Sequence, residues 1–162
     1  LPVGAYGGRR ELMQQVAPLG PVYQAGTLSG NPLAATAGVV MLRRIRAQGA
    51  ALYASLEQRA AELERGLLAA AGAAGVPIRC NRVGSMLSFF FGAEPVIDWP
   101  SAARDDRGSY AVLFHHLLDA GVYLAPSRYE CAFVSTAHDA ELIAHTVAAL
   151  EPAFWAVAER WR

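Results

Sequence analysis

No lysine occurs anywhere in the 162 residues: all 14 basic side chains are arginines, so the chain offers no side-chain amine as a nucleophile. Excess charge is missing too. Fourteen acidic residues balance the arginines, which removes the electrostatic footprint of a nucleic-acid or anionic-membrane partner. Cysteine is scarce, and Cys80 and Cys131 lie far apart with no CxxC spacing, which argues against a disulfide framework or a zinc site. Reduced thiols in the cytoplasm are the expectation. Only 17% of residues are charged against 54% apolar, a balance too hydrophobic for a disordered segment although much of it is alanine.

Charge is absent altogether from residues 12–42. This is not a membrane span, because Gln14, Gln15, Pro18, Pro21, Gln24, Ser29, Asn31 and Pro32 would leave polar groups unpaired in lipid. It reads as backbone buried inside protein. The chain opens on Leu1 without the basic, apolar and cleavage regions of a secretory signal.

What is present is helical periodicity in four places. Pro32 suits a first helical turn after Ser29, Gly30 and Asn31, and Leu33, Ala37, Val40, Leu42 and Ile45 predict a helix to about residue 47. Leu52, Leu56, Ala60, Leu63 and Leu67 form a second stripe, with Gly72 and Gly75 as its breakers. A third helix is expected from about 109 to 120, stopped by Gly121. The last is marked by Ile143, Val147, Leu150, Phe154, Val157 and Trp161, with Pro152 placed to kink it. Strands are expected at 77–82, 86–91, 122–124 and 131–135, giving an α+β layer with a small, mostly antiparallel sheet.

The segment GPVYQAGTLSGNP, residues 20–32, is the most informative. Glycines around Thr27 and Ser29, ahead of a helix start, offer the amides and hydroxyls that hold a phosphate, although a plain cap and turn would use the same residues. The GxxxxGKS/T pattern of a nucleotide P-loop is absent. In APSRYECAF, Glu130 stands between two expected strands as a partly buried carboxylate, either catalytic or salt-bridged to an arginine. His138 is placed to cap the last helix, while His115, His116 and His145 lack ligand spacing. Phe89, Phe90 and Phe91 read as core and interface packing.

Taken together, LPVGAYGGRRELMQQVAPLGPVYQAGTLSGNPLAATAG, GSMLSFFF, GVYLAPSRYECAFVSTAH and the terminal helix resemble the glutamate-1-semialdehyde 2,1-aminomutase family of class III pyridoxal-phosphate-dependent aminotransferases. The resemblance runs in order through essentially the whole chain. It implies the C-terminal fragment of a fold type I enzyme: residues 1–47 as the last edge of the large domain and the dimer-interface segment, residues 48–162 as the C-terminal small domain. It also implies a homodimer with active sites at the subunit interface, using pyridoxal 5'-phosphate and pyridoxamine 5'-phosphate. The implied reaction converts glutamate 1-semialdehyde to 5-aminolevulinate on the way to tetrapyrroles.

In that family the lysine that forms the Schiff base precedes the stretch matching LPVGAYGG, and so lies upstream of Leu1. The resemblance therefore places no catalytic residue in this chain, and the polypeptide alone is expected to be inactive. It assigns Gly26 and Thr27 to the cofactor phosphate of the partner subunit and Glu130 to the neighbourhood of the substrate. Family members commonly read SQFEAGF where Ser127, Arg128, Tyr129, Glu130, Cys131, Ala132 and Phe133 stand here. Alternatives are a fragment of a class III ω-aminotransferase and a non-catalytic, stand-alone small domain.

Overall fold

A computed structural model describes residues 1–104 and 106–162, in the element order α1 (Arg10–Met13), α2 (Pro32–Ala73), β1 (Ile78–Val83), β2 (Met86–Phe91), α3 (Trp99–Ala102), α4 (Ser109–Asp119), β3 (Ala132–Phe133) and α5 (Ala140–Ala158). Two compact units result, Leu1–Gly49 and Ala50–Arg162. They divide inside α2, where Gly49 has φ 55° and ψ −140°. Only glycine enters that region without a Cβ clash, so the helical path breaks there.

The first unit is mostly irregular. Val16 and Val22 form an isolated bridge, with Ala17 N–H donating to the Val22 carbonyl at 2.8 Å, around a cis Ala17–Pro18 bond. Asn31 caps the start of α2, its Oδ1 accepting from the amides of Leu33 at 3.1 Å and Ala34 at 3.2 Å. Leu19, Tyr23, Leu33 and Leu42 are exposed.

The second unit holds the core. β1 and β2 make a hairpin in which Ile78 faces Phe91 and Val83 faces Met86. β3 joins the other edge of β2 through Met86 opposite Phe133 and Leu87 opposite Ala132, giving a three-stranded antiparallel sheet in the order β1-β2-β3. Alternation along β2 turns Leu87, Phe89 and Phe91 inward. Phe89 and Phe91 join Leu67 and Ala71 of α2, Leu113 and Leu117 of α4, and Leu150, Phe154 and Val157 of α5 in one core cluster. The expected aromatic core is thus built from Phe89 and Phe91, while Phe90 lies on the other face.

Several expectations are corrected. Gly72 does not end the second helix, which reaches Ala73; Gly75 ends it at φ 69°, with Val76 N–H donating to the Ala71 carbonyl at 2.9 Å. α4 ends in the same way at Gly121, with φ 82° and a 2.8 Å bond from Val122 N–H to the Leu117 carbonyl. Residues 122–124 form no strand: leaving that turn, Val122 and Leu124 pack against the core instead. The strand expected at 131–135 shrinks to Ala132–Phe133, because it meets only the first two residues of β2. Helix α5 runs through Pro152 but stops at Ala158, and Trp161 beyond it donates from Nε1 to the buried Ser109 hydroxyl at 2.9 Å.

At Gly66 α2 lies against α5: a Cβ there would overlap both methyls of Val147 and crowd its Cβ at 3.1 Å. A rotamer change would still leave the Val147 Cβ 3.1 Å away, so the helices must also shift by a few tenths of an ångström. Gly66→Val should lower the stability of the chain by about 2 kcal/mol, the range seen for overpacked cores. Urea denaturation followed by circular dichroism checks this, and an unchanged midpoint would contradict the packing.

Candidate functional site

Beneath the loop leading into β3, the second unit contains a cleft of about 280 Å³. Leu87, Phe89, Val134 and Ile143 give it an apolar floor, and Tyr110 and Glu130 contribute polar atoms to its wall. Tyr110 is positioned by the start of α4. Asp106 accepts there from the amides of Gly108 at 3.0 Å and Tyr110 at 3.1 Å, serving the orphan donors of the first turn. The Tyr110 ring lies 5.9 Å from that of Phe89, and its hydroxyl donates to the Ala125 carbonyl at 2.6 Å. Burial pushes the Tyr110 phenol above its ordinary pKa, and the negative charge of Glu130 pushes in the same direction.

Glu130 departs from its expected setting. It is exposed rather than partly buried, its amide donates to the Ser127 carbonyl at 3.1 Å, and among the described residues its carboxylate has no ion-pair partner. The arginine nearest in sequence, Arg128, is engaged elsewhere. It donates to the Arg104 carbonyl at 2.7 Å and lies 3.8 Å from the Asp106 carboxylate. Among the described residues the Glu130 carboxylate therefore lacks an ion pair, although the Arg128 guanidinium lines the same, largely apolar cleft.

His138 also lines this cleft but does not cap α5. Asp139 does so, accepting from the Leu142 amide at 2.9 Å, while His138 Nδ1 accepts from the Ser135 amide at 2.9 Å and closes the preceding turn. His145 approaches the Ala120 carbonyl at 3.3 Å. Among the described residues no group of three or more His, Cys, Asp or Glu side chains could hold a metal ion. No helix among them is long and apolar enough to cross a membrane.

Gly26 and Thr27 lie in the first unit, in the turn before α2. Ser29 N–H donates to the Gly26 carbonyl at 2.9 Å and Asn31 N–H to the Leu28 carbonyl at 3.0 Å. Among the described residues the amides of Gly26, Thr27 and Leu28 and the Thr27 hydroxyl have no acceptor within the chain. A Cβ on Gly26 would meet only the Ser29 hydroxyl, at 2.9 Å, a contact that rotation of the serine side chain relieves. The donor set suits a phosphate. It does not suit the aldehyde of pyridoxal phosphate, for which the chain has no lysine.

No family model matches the chain. A glutamate-1-semialdehyde 2,1-aminomutase from Pelotomaculum thermopropionicum is 54% identical over 160 residues, which is 99% of this chain and 36% of the relative. The chain belongs to the glutamate-1-semialdehyde 2,1-aminomutase family. It spans about a third of the length of the curated relatives it matches, as a C-terminal part would. An ω-transaminase from Sphaerobacter thermophilus superposes with a TM-score of 0.81 at 22% identity, covering 93% of this chain and 34% of that structure. The FumI protein of Sphingopyxis sp. MTA144, solved in its PLP internal aldimine form, gives a TM-score of 0.69 at 25% identity over 86% of this chain and 30% of its own. The α+β fold is therefore that of the matching part of such aminotransferases.

Sequence reasoning missed Tyr110, Asp106 and Arg128. Asp106 had a signal, since an aspartate just before Gly108 and Ser109 marks a helix start. Tyr110 and Arg128 had none, because their partners lie 15 and 24 residues away in the chain.

Proposed function

We propose that this chain is the C-terminal part of a pyridoxal-phosphate-dependent isomerase that converts glutamate 1-semialdehyde to 5-aminolevulinate in tetrapyrrole synthesis. The observation that carries the reading is the Glu130 carboxylate, without an ion pair among the described residues, at a largely apolar cleft in a chain 54% identical to an aminomutase. The two compounds contain the same atoms. An amino group and an oxygen change places on neighbouring carbons, so the net reaction needs no outside oxidant, amine donor or amine acceptor.

When bound, the cofactor supplies the amino group and the electron sink for the transfer. The residues of this chain bind, orient and exclude. Amides 26–28 and the Thr27 hydroxyl hold the phosphate, in a homodimer across the subunit boundary. Leu87, Phe89 and Val134 keep the substrate end of the cleft dry, and Tyr110 fixes the Ala125 carbonyl where the loop carrying Glu130 begins. Glu130 repels a second carboxylate, keeping external amino and oxo dicarboxylates from competing with the bound substrate. Residues 1–47 serve as the edge of the large domain and the interface segment, and 48–162 as the small domain. The exposed Leu19, Tyr23, Leu33 and Leu42 are consistent with a segment covered by the rest of a cytoplasmic dimer.

The phosphate assignment is testable in a chimera in which this chain replaces the matching span of the Pelotomaculum relative. Thr27→Ala should weaken cofactor retention roughly tenfold to a hundredfold, the equivalent of one charge-assisted hydrogen bond of about 1.5 to 3 kcal/mol. Thr27→Ser, which keeps the hydroxyl, should retain most of the affinity. Equilibrium dialysis gives the ratio, and an alanine variant that holds pyridoxal phosphate as the parent does would remove Thr27 from the site.

A further inference from the structure

The loop that carries Glu130 is tied down by one side chain. Arg128 donates from Nη1 to the Arg104 carbonyl at 2.7 Å and from Nη2 to the Ala103 carbonyl at 3.4 Å, at the carbonyl end of α3. Its Nη2 also donates to the Tyr129 hydroxyl at 2.7 Å, and its guanidinium lies 4.7 Å from the centroid of that ring. The Tyr129 ring in turn packs at 4.9 Å on Trp99 of α3. On the acidic side, Asp106 stands 3.8 Å from Arg128 and is itself fixed by capping α4. The loop is thus held at its start by Tyr110 through Ala125 and at its middle by Arg128. Glu130 follows two residues later with no partner for its carboxylate among the described residues.

A single planar fork reaching two carbonyls, a carboxylate and an aromatic face is chemistry that lysine cannot reproduce. We propose that Arg128 is a positioning residue: by bridging loop 125–131 to the carbonyls of Ala103 and Arg104, it fixes where Glu130 stands at the cleft and so sets the discrimination against external dicarboxylates. The discrimination half of this inference rests on the role proposed above for Glu130; the bridge does not. With the guanidinium held on carbonyl oxygens, its positive charge is also kept from pairing with Glu130, which would cancel the repulsion.

Two measurements test the inference. On the full chain, Arg128→Ala should speed amide hydrogen exchange in a peptide spanning 125–131 by about tenfold, leaving the core amides of α4 and α5 unchanged, as expected for local opening. Arg128→Lys should fall between. In the chimera, Arg128→Ala should raise reactivity toward glutamate several-fold, and should add nothing in a Glu130→Gln background, because residues acting through one another are not additive. Unchanged loop exchange would overturn the bridge. An equal rise in both backgrounds would overturn positioning in favour of a general loosening. If Glu130→Gln alone leaves glutamate reactivity unaltered, the exclusion role fails and with it the discrimination half of the inference, while faster exchange would still establish the bridge.

Discussion

Glu130→Gln in the chimera should increase the single-turnover rate at which glutamate converts the aldehyde form of the cofactor to the amine form, by on the order of tenfold. An arginine at this place would pair with the carboxylate of glutamate or 2-oxoglutarate. Here the charge is reversed. The exposure of Glu130 lets solvent and salt screen its field, which keeps the expected effect near tenfold and makes it shrink as ionic strength rises. Among the described residues its side chain has no partner to lose, so the substitution should leave the folding stability nearly unaltered. Some isomerisation should survive, because removing a repulsive charge does not remove a proton carrier. Loss of all isomerisation without any gain toward glutamate would instead mean that Glu130 takes part directly in the chemistry. Absorbance changes of the cofactor in stopped flow distinguish the two.

The second large effect is all-or-none. Incubated with pyridoxal phosphate and reduced with borohydride, this chain should carry no adduct on any side chain, because it contains no lysine; only the α-amine of Leu1 can react. The chimera, which regains a lysine from its relative's upstream part, should be labelled there and lose activity in proportion. Intact mass followed by peptide mapping reads both results. A side-chain adduct on the chain alone would mean that another group captures the aldehyde, and the division of labour proposed here would fail.

How much of this could be read from the sequence follows from the range of the interactions involved. Period-2 and helical patterns are local, so β2, α4 and α5 lie close to their expected places, and Gly121 stops α4 through contacts only a few residues apart. The break inside α2 fell between the two expected helices, but its agent, Gly49, acts through a backbone conformation that no periodicity reports. Residues 122–124 have strand-like composition yet no partner edge, and partnership is a tertiary fact. At the site, the glycine-rich turn was legible because its donors are consecutive. The setting of Glu130 was not. Whether a carboxylate finds an arginine depends on where Arg128 goes, and Arg128 goes to carbonyls 24 and 25 residues back along the chain.

The most direct test supplies the chimera with glutamate 1-semialdehyde as sole substrate and follows 5-aminolevulinate, with neither amine donor nor amine acceptor added. The account predicts steady isomerisation under those conditions, with no lasting dependence on added glutamate or 2-oxoglutarate. A folded, cofactor-loaded chimera that turns over only when a separate donor and acceptor are both present would contradict it, and would make this chain the small domain of an intermolecular aminotransferase.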